Sequence, residues 1–241
     1  LKAYDDLIEN NRRRIALLEE SARLLYREWF VHFRFPGSIT PITRATLPSD
    51  WKLMSAYELA DILSGGTPKT TTEGFWSDEI PFFTPKDTGA SWYVHATEKD
   101  ISEEGLRNCN SQLYPKGTIF ITARGTVGKV RIAQRDMAMN QSCYALRPRQ
   151  ETLSAYFLFL SILEGVNQLK HRATGAVFDA IIVDTFKQME LVRPNQEIHD
   201  TFINLVEPIF KQIDNLLLQT QQLIKARDIL LPRLMDGRVA V

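Results

Sequence analysis

Two segments near opposite ends of the chain have similar helical sequences, and this repeat constrains the fold more than any other feature. Leu17–Trp29 reads LLEESARLLYREW, and Leu223–Leu234 reads LIKARDILLPRL. At one constant offset, the leucines and an arginine of the first segment coincide with apolar residues and an arginine of the second. The sequence between them, from about Thr46 to Pro194, has a different character. Two matching helices that flank one body indicate a spacer of defined length with a globular domain attached.

Both segments belong to longer stretches in which seam residues recur at alternating spacings of three and four. This pattern is typical of a coiled coil. It predicts one helix over residues 1–33 and a second over about 197–231, bounded by Pro232 and Gly237. Neither helix can bury its apolar stripe alone, so we expect antiparallel packing, within one chain or between two. The seam positions expected to carry helix or partner packing are Ile8, Ile15, Leu18, Leu25, Ile213, Leu216, Leu223 and Leu230.

The body carries short strand patterns separated by turns rich in Gly, Thr, Ser and Asn. One longer apolar stretch, Leu153–His171, predicts a helix. The fold class is therefore α+β: a globular domain with a small twisted β-sheet, plus two long antiparallel coiled-coil-like helices. We expect a first spacer helix over 1–37, a globular domain over 45–195 and a second spacer helix over 196–241. The strand candidates are Ile80–Thr84, Thr118–Thr122, Lys129–Ala133, Ser142–Arg147 and Met189–Arg193.

Composition excludes several classes of protein. The 241 residues carry 29 basic and 29 acidic side chains, so no global field attracts nucleic acid or a membrane. No apolar run approaches the ~20 residues that span a bilayer, and we identify no signal peptide. Cys109 and Cys143 follow no metal or redox spacing, which favours a reduced, cytoplasmic protein. The chain begins at Leu1 without a methionine, which indicates a truncation, a processed product or an expression fragment.

The sequence shows no pattern typical of a catalytic or cofactor site. Gly125–Lys129 superficially resembles a phosphate-binding loop, but its glycines are too closely spaced. The four histidines, His32, His95, His171 and His199, are widely spread and have no paired metal-ligand spacing. We therefore expect a binding and assembly subunit that is not an enzyme, with no metal and no cofactor bound by this chain.

Charge is uneven inside the neutral chain. From Arg107 to Arg149 there are eight basic side chains and one acid. Such a surface can follow DNA phosphates, because each neutralised phosphate releases counterions; chance surface charge is the alternative. Hydroxyl and amide side chains that can bond base edges are interleaved with the cations, although turn caps or a buried amide network would use the same amides. The glycine-containing loop Ser64–Thr72 and the segment Arg172–Gly175 offer similar chemistry. The candidate DNA-binding residues are Thr67, Lys69, Thr70, Lys86, Arg124, Thr126, Lys129, Asn140, Gln141, Arg172 and Thr174.

Three groups of residues together resemble the specificity subunit of Type I restriction–modification systems. The first is the opening of the body, with Leu47–Trp51, Ser64–Pro68 and Ile80–Asp87. The second is Asn11–Phe30, which is similar to the central helical spacer of that family. The third is Arg227–Arg238, which is similar to the end of the C-terminal spacer. The combination covers most of the chain.

The resemblance implies a fold and a role. In full form, the family has two target-recognition domains separated by two antiparallel conserved helices. Each recognition domain reads one half of a split double-stranded DNA sequence. The helices set the distance between the halves and dock methyltransferase subunits, which bind S-adenosylmethionine and methylate adenine. Restriction subunits join through the complex and use ATP and Mg, so these cofactors are expected on partner subunits.

This chain has a single recognition body, and it resembles the second half of such a subunit. Its repeated helices predict a homodimer, or pairing with another half-subunit, that reads an inverted repeat with a fixed gap. Two alternatives remain open. One is a coiled-coil scaffold whose body binds another protein. The other is a truncated specificity fragment that inhibits or re-targets a full complex.

Overall fold

The computed structural model describes residues 1–38, 42–172 and 180–235; at 172 and 233–235 the description covers the backbone alone. Contacts divide the chain into two compact units, Leu1–Leu25 with Asn204–Val241, and Tyr26–Ile203. Helix α1 spans Lys2–Phe30, and helix α6 spans Gln196–Met235. The α+β fold class expected from the sequence is confirmed. The other helices are α2 (Ala56–Leu59), α3 (Glu103–Arg107), α4 (Ala155–Arg172) and α5 (Val183–Gln188).

In the first unit, α1 and α6 pack antiparallel within one chain. Asp5, near the start of α1, forms an ion pair of 3.0 Å with Arg227, near the end of α6. The apolar seam lies between these helices. Ile8, Ile15, Ile213 and Leu216 are buried, and four further seam positions are half-buried: Leu18, Leu25, Leu223 and Leu230. Burial of one stripe on each helix is what the three-four spacing requires.

Two helix ends differ from the sequence expectation. Helix α6 continues past Pro232 to Met235, so Pro232 does not end it. The ring removes one backbone donor, and over a long helix already held by packing this loss does not stop the last turn. Helix α1 ends at Phe30, three residues earlier than expected, and Phe33 adopts a positive φ of 56°. A left-handed residue just beyond a helix is a common way to reverse the chain.

The described residues of the second unit form three small sheets, whereas the sequence predicted one. The strands are β1 (Lys52–Ser55), β2 (Ala60–Ser64), β3 (Trp76–Phe83), β4 (Tyr93–Val94), β5 (Asp100–Ile101), β6 (Ile119–Thr122), β7 (Val130–Ala133), β8 (Ala138–Met139), β9 (Cys143–Pro148) and β10 (Glu190–Arg193). The strand order is β1-β10 in the first sheet, β2-β9-β6-β7-β4 in the second and β5-β3-β8 in the third. All five strand candidates are present with end shifts of four residues or fewer, and the sequence did not predict β1, β2, β4, β5 and β8.

An aromatic cluster forms one end of the second unit. Phe30 packs against Phe157 and Phe202, with ring centroids 5.1 and 4.9 Å apart. Tyr26 joins the cluster and donates a hydrogen bond of 3.0 Å to Ser161. Burial raises the pKa of Tyr26 above its ordinary range, so the hydroxyl stays protonated. The cluster joins the end of α1, the middle of the chain and the start of α6, because these side chains come from all three segments.

Candidate nucleic-acid interface

Several strands of the second unit end at the same edge. The last residue of β2, Ser64, pairs with Tyr144 of β9, and the last residue of β6, Thr122, pairs with Cys143. The third sheet joins this edge because the Gly66 N–H, just after β2, donates to the carbonyl of Met139, the last residue of β8, at 3.1 Å. Within the third sheet, the Asn140 N–H donates to the Phe83 carbonyl at 3.0 Å, which brings the ends of β8 and β3 together. The segments 65–72, 84–89, 123–129 and 140–142 therefore leave their strands together; we call them the loop edge. Antiparallel pairing causes this convergence, since neighbouring strands run in opposite directions.

Two glycines allow very close approach within the loop edge. A Cβ atom on Gly65 would lie 2.2 Å from the Asn140 carbonyl oxygen, and one on Gly66 would lie 2.6 Å from the Asn110 nitrogen. The Gly66 N–H donates to the Met139 carbonyl at 3.1 Å. Next to them, the Thr67 hydroxyl donates a short hydrogen bond to Oε1 of Gln141. The glycines therefore allow the backbone of this loop to approach other segments of the protein closely.

The hairpin loop between β6 and β7 presents cations from a braced backbone. Gly125 and Gly128 have positive φ values of 75° and 74°, a conformation that favours glycine. The Thr122 hydroxyl accepts the Lys129 N–H at 2.9 Å, and the Lys170 ammonium donates to the Gly128 carbonyl at 3.2 Å. This bracing leaves three exposed side chains along the loop: Arg124, Thr126 and Lys129.

The electrostatics of this hairpin suit an anionic ligand. Neither Arg124 nor Lys129 has an acidic partner within residues 1–38, 42–172 and 180–235. Lys170 lies at the end of α4, and burial together with the neighbouring Lys129 ammonium lowers its pKa. Like charges held close together without a described acid favour binding of an anion, because the anion removes their repulsion.

The basic stretch expected from the sequence is not one surface. Arg107 pairs with Glu103 on α3, and Arg131 is buried, where it donates to the carbonyls of Thr88 and Gly89. Arg147 lies near the other end of β9, and Arg149 follows that end. Lys116 and Arg135 also lie beyond the opposite ends of β6 and β7. Of the eight cations, Arg124 and Lys129 belong to the loop edge, since consecutive antiparallel strands place their ends alternately on the two sides.

Comparison with known proteins gives a family. The family model described as Type I restriction modification DNA specificity domain matches residues 48–226. The chain belongs to this family. The matched range contains the whole loop edge and most of α6, so the resemblance inferred from sequence motifs is confirmed.

Relatives and solved structures agree with this assignment. The Type I restriction enzyme MjaIX specificity subunit of Methanocaldococcus jannaschii is 28% identical over 172 residues, which cover 70% of this chain and 40% of the relative. The HindI specificity subunit of Haemophilus influenzae is 27% identical over 196 residues, covering 80% and 42%. A solved Type I restriction–modification S subunit from M. genitalium has the same fold, with a TM-score of 0.67 and 15% identity over 95% of this chain and 57% of that one. The chain spans about half the length of these relatives.

The structure brings most of the candidate DNA-binding residues of this family member to one edge. The side-chain oxygen of Asn140 accepts the Ser142 N–H at 3.1 Å. This amide therefore caps a turn, which the sequence offered as the alternative to base contact. Lys86 is exposed and lies 3.7 Å from Glu98 in an ion pair, so an acid accompanies its charge. Arg172 is the last residue of α4 with its side chain outside the description, and Thr174 lies outside the described residues. The candidates on the loop edge are Thr67, Lys69, Thr70, Lys86, Arg124, Thr126, Lys129, Asn140 and Gln141. Their role in DNA binding stays a prediction.

Sequence reasoning missed a polar segment and a lysine. Residues 108–112 follow α3 and pack their backbone against Gly66. The Ser111 hydroxyl accepts the Met139 N–H at 3.1 Å, which ties this segment to β8. The run Asn-Cys-Asn-Ser-Gln was a compositional signal, but its neighbours in space are far away in sequence. For Lys170 the sequence predicts only a position within the helix over Leu153–His171.

Both cysteines of this chain are free thiols and at least partly buried. Burial raises the pKa of the Cys143 thiol to about 12, so this thiol is unreactive, and Cys109 is half-buried. The described part of the chain contains no cluster of side chains suited to a metal ion. None of the helices in that part is both long enough and apolar enough to cross a membrane.

Proposed function

We propose that this chain is the DNA-recognition part of a Type I restriction–modification specificity subunit and reads one half of a bipartite target. The observation that carries the proposal is the loop edge within the matched family range. There, hydroxyl, amide and cationic side chains from separate segments face solvent together. Phosphate contacts position a protein on DNA and base contacts specify the sequence, and this edge offers both kinds of group.

The phosphate-contacting part of the proposal rests on the hairpin. Arg124, Lys129 and Lys170 lie on or beside one loop whose backbone is held by glycines and by the Thr122 hydroxyl. Each cation that neutralises one phosphate adds about one unit to the slope of log affinity against log salt. A chain with zero net charge therefore binds DNA through a local patch.

The base-contacting part rests on the neighbouring loops. Thr67 and Gln141 are exposed and hydrogen-bonded to each other, and Thr126 is exposed on the hairpin. Amide and hydroxyl groups match the donors and acceptors of base edges in the major groove. Their rigid support reduces the entropy lost on binding.

In this proposal, helices α1 and α6 dock the partner subunits. The paired α1 and α6 leave Leu17, Leu24, Leu218 and Ile229 exposed on the outside of the seam. We assign this helical surface to methyltransferase subunits and, through them, to restriction subunits. S-adenosylmethionine, ATP and Mg then belong to those partners, and this chain has a non-catalytic role, as the family supports. One solved structure of similar fold concerns complex assembly of the Type I restriction–modification system.

Self-pairing follows from the same reasoning. Because the seam is used within one chain, a homodimer or a complex with another half-subunit uses the outer apolar residues instead. Two copies related by a two-fold axis present two identical loop edges, which suits an inverted repeat. Sedimentation of the purified chain at micromolar concentration tests this, and a single monomeric species excludes the homodimer.

Selection from a random duplex library by the purified chain tests the central proposal. We expect enrichment of one short motif at low salt and a steep loss of binding as salt rises. Enrichment of no motif contradicts the proposal. Co-expression with a methyltransferase subunit of a Type I system, followed by mapping of N6-methyladenine, tests docking. A methylated motif that contains the selected half-site is the expected result.

A further inference from the structure

A small cleft on the loop edge is lined mostly by polar groups. Three segments form its walls: Gly65–Thr67, Asn108–Asn110 and Gln141. Its volume is about 370 Å³, and it opens to solvent. Pockets that admit small organic groups are typically ~300–1,000 Å³, so the cleft can receive the edge of a nucleobase.

The walls of this cleft are rigid because backbone packs on backbone. Two contacts close enough to exclude any side chain hold Gly65 against Asn140 and Gly66 against Asn110. Ser111 and Gly66 both bond to Met139, at 3.1 Å in each case. Three segments that are distant in sequence are thereby fixed relative to each other, and the position of Gln141 follows from theirs.

The Gln141 side chain is oriented by Thr67. In the structure the Thr67 hydroxyl donates to Oε1 of Gln141. One lone pair of Oε1 is used, and its second lone pair and the two Nε2 hydrogens remain. No described residue other than Thr67 bonds this amide. The free groups form one acceptor and one donor side by side, in fixed order.

We propose that Gln141 is a specificity-determining residue that bonds the edge of one adenine, and that Thr67 is the residue that positions it. This inference rests on the proposed function and goes further by naming the base and the side chain. A carboxamide pairs bidentately with adenine by accepting from N6 and donating to N7. The free acceptor and donor of Gln141 are those two groups.

Three variants and one control test the assignment in the random-duplex selection. Gln141→Ala removes both groups and is expected to lower the preference for adenine at one motif position by roughly tenfold or more. Gln141→Glu keeps an oxygen for Thr67 but replaces the donor by an acceptor. Because a carboxylate accepts from cytosine N4, this variant is expected to shift that same position towards cytosine. Thr67→Val frees the amide to rotate and is expected to reduce the adenine preference a few-fold at that position.

Gln150→Ala is the matched control, because Gln150 is also exposed but follows the other end of β9. It is expected to leave the motif unchanged. An unchanged motif in Gln141→Ala, in a variant that melts like the wild type, overturns the inference. So does an equal loss of preference at all positions. If Gln141→Ala is unfolded, the isosteric Gln141→Glu decides the matter by whether its motif changes at a single position. A wild-type chain that enriches no motif overturns the proposed function itself, and that result is distinct from the others.

Discussion

The helical pair of the first unit and the loop edge of the second differ in what holds them together. Along α1 and α6, apolar side chains recur in sequence, and burial of one stripe stabilises the pair. At the loop edge, stability comes from glycine contacts and hydrogen bonds between segments far apart in sequence, while exposed side chains contribute little. Side chains therefore specify the helical pair, whereas backbone contacts specify the loop edge. Truncation of buried side chains should therefore destabilise the helical pair, whereas the loop edge should be destabilised by substitutions that disturb its backbone contacts.

The largest expected effect lies in the helical pair. Phe210 on α6 is fully buried, so Phe210→Ala removes a large apolar side chain and leaves a cavity. We expect a loss of about 3–5 kcal/mol in the free energy of unfolding. Urea denaturation followed by circular dichroism measures it. Leu218→Ala is the control, because Leu218 is 43% exposed and its truncation should change stability by less than about 1 kcal/mol.

A glycine substitution tests whether backbone contact holds the loop edge. In Gly66→Ala the added methyl meets the Asn110 nitrogen at 2.6 Å, and the loops must separate. We expect a loss of about 1–3 kcal/mol, as for overpacked sites, together with weaker DNA binding. Gly74→Ala is the matched control, since nothing lies within 4 Å of its added methyl. If both variants have equal melting temperatures, the close contact of Gly66 with Asn110 does not stabilise the loop edge.

Charge removal at the loop edge should affect binding without affecting folding. For Arg124→Ala or Lys129→Ala, we expect weaker binding to duplex DNA and a salt slope reduced by about one unit. Stability should stay within about 0.5 kcal/mol, because both side chains are exposed. Fluorescence anisotropy at several salt concentrations measures the slope. Arg135→Ala removes a charge beyond the opposite end of β7 and should leave the slope unchanged; a loss as large as that of Arg124→Ala would mean that the loop edge is not the DNA-contacting surface.

The smallest expected effect is a pH dependence at the start of α6, which lies in the second unit but outside the loop edge. His199 of α6 is buried, its Nε2 accepts the Ser154 N–H at 3.2 Å, and burial lowers its pKa below the ordinary value of 6.5. The unfolded chain therefore binds the proton more readily than the folded one. The stabilising contribution is present above about pH 6.5 and is lost as the pH falls towards the lowered value.

Urea midpoints between about pH 7 and pH 5 measure this effect, and His199→Gln should show a flatter dependence. A His199→Gln profile that parallels the wild type would assign the dependence to other groups.

Features formed by residues close together in the sequence could be predicted, whereas features formed by distant segments could not. The two long helices were predictable because their seams repeat every three or four residues. The segment with β6, its hairpin and β7 was also predictable, since its strands and glycines are consecutive. Strands β4, β5 and β8 have two residues each and show no alternation to detect. The cleft beside Gln141 had no local signal, because its three walls come from separate segments.

By itself, the sequence determined the α+β class, the two spacer helices and the family, since these depend on local periodicity and on short motifs. It also supplied the amides, hydroxyls and cations that the proposed interface uses. Tertiary structure alone decided that α1 pairs with α6 in one chain, that the basic stretch divides between two edges, and that Thr67 meets Gln141. The physical reason is that strand register and glycine contacts are long-range choices. They depend on how apolar faces are buried together, which no single segment encodes.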